Sequence, residues 1–85
     1  MSEVIALVDF GNRLKALRKA KDISQEQLAK RMGITKSMIS AYELSMRMPS
    51  YQVLLKIARF FNVTIDYLLG LSDDNFLNTS GLTDK

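Results

Sequence analysis

The sequence predicts an all-α domain built from five short helices. Two observations carry that prediction. Apolar residues recur at three- and four-residue spacings in successive stretches, and residues that cap and stop helices separate those stretches. A strand signal is confined to one option, residues 4 to 8. Eighty-five residues make one domain near the small end of what folds unaided. With no cysteine and no histidine, disulfides and thiolate or imidazole metal sites are excluded, and stability must come from packing.

Residues 1 to 8 form an apolar extension ending in ValIleAlaLeuVal. This run either extends helix 1 over the core or pairs as a strand with a second chain. Helix 1 is expected from Asp9, as N-cap, to about Lys21, burying Phe10, Leu14 and Leu17. Helix 2 opens with Ser24 and Gln27 in capping-box spacing and stops at Gly33. Helix 3 has Thr35 as N-cap and runs to about Leu44, beyond which Pro49 forbids a continuous helix. Helix 4 starts near Ser50, repeats Leu54, Ile57, Ala58 and Phe61, and ends at Asn62. Helix 5 is short, capped by Thr64, with Asp66 in its first turn and Gly70 at its end. The domain thus occupies residues 9 to 70. Residues 71 to 85 read as a polar, weakly ordered tail.

The formal charge of +3 hides an asymmetry. Residues 9 to 70 hold eleven Lys and Arg against five Asp and Glu, whereas the two ends are acidic. A basic domain fits DNA, RNA, an anionic surface or an acidic protein. No apolar run is long enough for a membrane span. No secretory signal is expected either, so the protein is read as cytoplasmic. Catalysis has little support: without His or Cys an enzyme needs paired carboxylates or an activated Ser or Lys, and these helices assemble no such set. No cofactor or metal is expected.

Residues 25 to 44, QEQLAKRMGITKSMISAYEL, hold the densest pattern. Ala29 is small where a second helix must pass close, and Gly33 allows the positive φ that ends the first helix. Leu28, Met32, Ile34, Ile39 and Tyr42 form a shared inner face. Two short helices around such a turn make a helix-turn-helix, whose second helix can enter a major groove. With Ile39 and Tyr42 inward, Lys36, Ser37, Ser40 and Ala41 face outward. Lys36 can donate to guanine or phosphate, the serines can donate or accept, and Ala41 offers a methyl to thymine. Any exposed helix face is polar, so this face has an ordinary solvent reading too. Gln25 and Thr35 stand at helix starts suited to phosphate, and a cap such as Thr35 needs no further role.

The run LKALRKAKDISQEQLAKRMGITKSMISAYE, followed by MetProSer, an amphipathic helix and FNVTIDYLLG, closely resembles the Cro/C1-type helix-turn-helix family, also called the xenobiotic-response-element family. The resemblance covers about residues 10 to 70. It implies a lambda-repressor-like fold and a sequence-specific transcriptional regulator, commonly a repressor, that binds pseudo-palindromic double-stranded DNA as a homodimer. By position, it implies phosphate or edge contacts for Gln25 and Thr35 and base-facing roles for Lys36, Ser37, Ser40 and Ala41. It also implies a partly buried ion pair of Arg18 with Glu43 that fixes the angle of the reading helix.

The segment after Glu43 departs from the family pattern, reading Leu44, Ser45, Met46, Arg47 where a glycine and a basic residue are common. Ser45 must then take the glycine's backbone conformation, and Arg47 is left as the phosphate anchor. Met46 and Met48, together with Tyr67, are candidates for a dimer contact, although the methionines could equally fold back on the core. Control by abundance or by a protein partner is expected, since no effector domain fits the residues after Gly70. The alternative reading is an antitoxin or adaptor on the same fold, whose chief partner is a protein.

Overall fold

The computed structural model describes residues 3 to 72, with side chains described from Ala6 onward. Five helices follow one another: α1 (Glu3–Ala20), α2 (Gln25–Met32), α3 (Lys36–Glu43), α4 (Tyr51–Phe61) and α5 (Ile65–Leu68). The described residues contain no strand. The expected polar tail lies, beyond Ser72, outside the described residues.

Each cap expected from the sequence forms, except that at Asp9. Ser24 and Gln27 close a reciprocal capping box, and Thr35, Ser50 and Thr64 each accept the backbone N–H three residues on. Helix α1 instead begins at Glu3. Nothing between residues 3 and 9 stops a helix, and Ala6 and Leu7 favour one, so Asp9 lies inside α1. The strand option for residues 4 to 8 is thereby overturned. Of the side chains described in the added turns, Leu7 is half-buried and Val8 exposed, and neither is among the apolar side chains packed against the core.

All five helices end in the same way. The residue one past the last turn has positive φ at Asp22, Gly33, Ser45, Asn62 and Gly70. At each, the following N–H reaches a carbonyl five residues back, as in Met46 N to Ala41 O at 2.8 Å and Ile34 N to Ala29 O at 3.0 Å. This is the Schellman arrangement, which satisfies carbonyls the helix leaves open. Glycine adopts that backbone without cost, but Ser45 at φ 62° pays for its Cβ.

The core gathers one stripe from each helix. Phe10 and Leu14 of α1, Leu28, Ala29 and Met32 of α2, Ile39 and Tyr42 of α3, Leu54, Ile57, Ala58 and Phe61 of α4, and Leu68 of α5 are all buried. Ile34 and Leu17 are partly buried against them. Phe10 meets Tyr42 edge to face at 5.9 Å, joining α1 to α3. Gly11 makes that approach possible, because a Cβ there would lie 2.6 Å from the Tyr42 carbonyl oxygen and 3.1 Å from that of Glu43. The sequence signal for Gly11 was available, a lone glycine inside a helical stripe.

Two substitutions should therefore act in opposite directions. Ser45→Gly should stabilise by about 1 kcal/mol, raising the thermal midpoint by roughly 5 °C. Gly11→Ala should destabilise by about 2 kcal/mol, because backbone has to move to admit the methyl. Urea and thermal denaturation measure both.

Candidate nucleic-acid interface

Helix α3 is locked on its inner side by Ile39 and Tyr42, and this decides what it presents outward. Lys36 and Ser37 are exposed, while Ser40 and Ala41, one turn on, are half-buried. The four lie on one side, short but for Lys36, so that side can approach another surface closely. Thr35 caps the helix by accepting the Met38 N–H at 3.2 Å, which leaves its hydroxyl hydrogen free to donate outward.

The far end of α3 is held by its last residue. Glu43 is buried, its side chain only 3% exposed, and it meets the Arg18 guanidinium in a two-pronged pair: Nε to Oε2 at 2.6 Å and Nη2 to Oε1 at 3.0 Å. Such a fork-on-carboxylate contact fixes direction as well as distance. The third nitrogen, Nη1, donates to the Ile23 carbonyl at 2.9 Å. One side chain from α1 therefore braces the α1–α2 turn and the end of α3 together. The hydrogen bond to Glu43 pushes the Arg18 pKa up, against an opposing effect of burial.

Gln25 joins this cluster, its Nε2 donating to Glu43 Oε1 at 3.0 Å. That role was not visible in the sequence, since the two residues lie 18 positions apart. One hydrogen of the amide is committed to Glu43 and the other remains, beside the free N–H groups at the start of α2. The carboxylate thus accepts from Arg18 and Gln25 together, and no buried side-chain nitrogen or oxygen among the described residues lacks a partner.

The remaining candidates sit around this frame. Arg47 is exposed just past the α3 terminus, close enough for its charge to pull down the Tyr42 pKa. Burial of the phenol outweighs that effect and leaves the Tyr42 pKa raised. Met46 and Met48 are 72% and 40% exposed, so neither folds back on the core. Tyr67 is half-buried, packs against the core, and carries the Arg13 guanidinium 4.3 Å above its ring. Arg13 also donates to the carbonyls of Tyr67 and Ser72, tying the chain after α5 to α1. Lys36, Ser37, Ser40 and Ala41 thus come together on one side of α3, whereas Tyr67 is engaged from within the fold.

Residues 14–68 match the family described as helix-turn-helix. Over 65 residues the chain is 45% identical to the HTH-type transcriptional regulator YobD of Bacillus subtilis, a stretch covering 76% of this chain and 58% of YobD. Over 66 residues it is 32% identical to the cryptic phage CTXphi transcriptional repressor RstR of Vibrio cholerae, covering 78% of this chain and 60% of RstR. It therefore spans less than two thirds of either regulator. Among solved structures, the P22 c2 repressor in complex with a synthetic operator superposes with a TM-score of 0.71 at 33% identity, covering 74% of this chain and 96% of that one. The restriction-modification controller protein C.AhdI of Aeromonas hydrophila gives 0.66 at 39% identity, with 73% and 94% covered.

Two measurements test the frame. Arg18→Met or Glu43→Leu alone should cost about 3 kcal/mol by leaving one charge buried and unpaired, while the double substitution should cost less than either. Stability should also fall as pH rises through the ordinary tyrosine range near 10, because the unfolded chain releases the Tyr42 proton first. Tyr42→Phe should reduce that slope in urea titrations at stepped pH. The raised Arg18 pKa adds no slope there, since its stabilisation persists until pH exceeds the ordinary arginine value.

Proposed function

The chain belongs to the helix-turn-helix family, and from that premise we propose that it is a sequence-specific DNA-binding regulator of transcription, a repressor in the first instance. One observation carries this reading: α3 presents Lys36, Ser37, Ser40 and Ala41 on one side while Gln25 and Arg18, the latter also bonded to the Ile23 carbonyl, clamp its terminal Glu43. A helix that reads base edges has to be slim outward and rigid inward. Lys36 supplies the strongest base donor, to guanine O6 or N7, and the serines and Ala41 supply short polar and methyl contacts.

Positioning falls to groups at the helix starts and the α3 terminus. In this reading the second Gln25 amide hydrogen, the Thr35 hydroxyl and the Arg47 guanidinium donate to phosphates on either side of the groove. With Gln25 also bonded to Glu43, a phosphate contact there would be felt directly by the clamp. The likeness to the P22 c2 repressor in complex with its synthetic operator supports DNA as the partner.

The reader acts as a homodimer on a pseudo-palindrome, with half-site centres ~34 Å apart. Exposed apolar surface supports a second copy. Met46 and Met48 precede α4, and Tyr51, 66% exposed, begins a stripe on α4 that continues through Leu55. An open groove between α4 and α5, floored by Leu55, Ala58, Val63 and Ile65, prolongs that stripe. Tyr67 contributes at the margin, since its ring is already shared with Arg13. Repression then follows from occupancy of the promoter by the dimer.

Lys36→Ala combined with Ser40→Ala should lower the ratio of operator to random-DNA affinity by about tenfold or more, each lost base contact being worth about 1 kcal/mol or above. Arg47→Ala should instead weaken both affinities together and flatten the salt dependence by about one unit of slope. Fluorescence anisotropy over a salt series reads both effects. An unchanged operator footprint after the double substitution would remove α3 from the reading role.

A further inference from the structure

A second place where positive charge meets apolar surface lies away from α3. A cleft of about 240 Å³ is lined by Ile23, Gln27, Lys30, Arg31 and Phe60. Gln27, Lys30 and Arg31 occupy the face of α2 opposite its buried Leu28, Ala29 and Met32, and no residue of α3 lines the cleft. Phe60 is half-buried at its wall, set edge to face against Phe61 at 4.9 Å. The Arg31 guanidinium carbon and the Lys21 ammonium nitrogen approach the Phe60 ring to 5.4 and 5.5 Å.

Among the described residues these cations have no acidic partner. Lys21, Lys30 and Arg31 form no ion pair or side-chain hydrogen bond among the described residues, and the neighbouring Asp22 and Glu26 are exposed and unpaired with them. The ring holds two of these exposed cations beside an apolar wall. Duplex DNA matches this poorly, since its phosphate track brings nothing apolar for Ile23 and Phe60. A carboxylate-rich peptide with a single aromatic or aliphatic side chain matches both halves.

We propose that the cleft between α2 and Phe60 docks an acidic peptide segment of a partner protein, its apolar side chain against Phe60 and Ile23 and its carboxylates on Lys21, Lys30 and Arg31. Because α3 takes no part, docking proceeds with the reading helix engaged or free. The proposal goes beyond the DNA-binding reading and stands without it.

The test is an NMR titration of the isotope-labelled full chain with the synthetic peptide acetyl-EDFEDLE-amide, repeated with a saturating short duplex. Saturable shifts are expected at the amides of Gln27, Lys30, Arg31 and Phe60, with the peptide's affinity unchanged by duplex. Binding should weaken at least tenfold for the K21Q/R31Q variant, and equally for the uncharged peptide acetyl-QNFQNLQ-amide. Four results would overturn the proposal: no saturable binding, equal binding of the uncharged peptide, displacement by duplex, or the same shifts from inorganic phosphate alone.

Discussion

The contact between Arg18 and Glu43 sets the geometry on which the proposed function depends. Helix α3 has eight residues, too few to hold its own direction in water, so its angle is fixed by what it leans on. Packing against Phe10 and Leu28 sets its depth, but apolar contacts are non-directional. Direction comes from the forked guanidinium, which meets the carboxylate at the last helical residue and the Ile23 carbonyl at the α1–α2 turn. Gly11 complements it, letting the α1 backbone reach the carbonyls at the end of α3 so that Arg18, two turns on, meets Glu43. A pair this buried adds little net stability over an apolar replacement. Its contribution is to the orientation of α3.

Much of the fold was legible because its punctuation is local. Ser24 with Gln27, Thr35, Ser50 and Thr64 each act within three residues of themselves, and the residues that end the helices act within five. The start of α1 was misplaced for the converse reason. No local stop separates the apolar run from Phe10, and Asp9, a good cap in isolation, lies within a helix already under way. Contacts between distant residues were less legible. The Arg18 and Glu43 pair came through family resemblance rather than periodicity. The Gln25 contact with Glu43 and the Ile23 carbonyl acceptor depend on the crossing of helices, which no spacing rule supplies. The cleft at Phe60 is of the same kind, assembled from α2, α4 and the turn after α1.

Part of the domain's positive charge stands on two surfaces with different chemistry. Around α3, Lys36 and Arg47 stand on a slim, mostly polar surface suited to a groove and its phosphates. Beside Phe60, Lys21, Lys30 and Arg31 surround an apolar pit suited to a compact ligand. Charge is placed similarly in both, but only the second has an aromatic floor. A regulator with both could hold DNA and answer to a protein at the same time.

The most direct test of the α3 assignment is selection of binding sites from random duplexes by the purified chain at a fixed, stated salt concentration. A homodimeric reader of the kind proposed enriches a pseudo-palindrome whose half-sites are centred about one helical turn apart, and loses that enrichment when Lys36 and Ser40 are both alanine. Recovery of random sequence by the unaltered chain, or the same motif from the altered one, would contradict it.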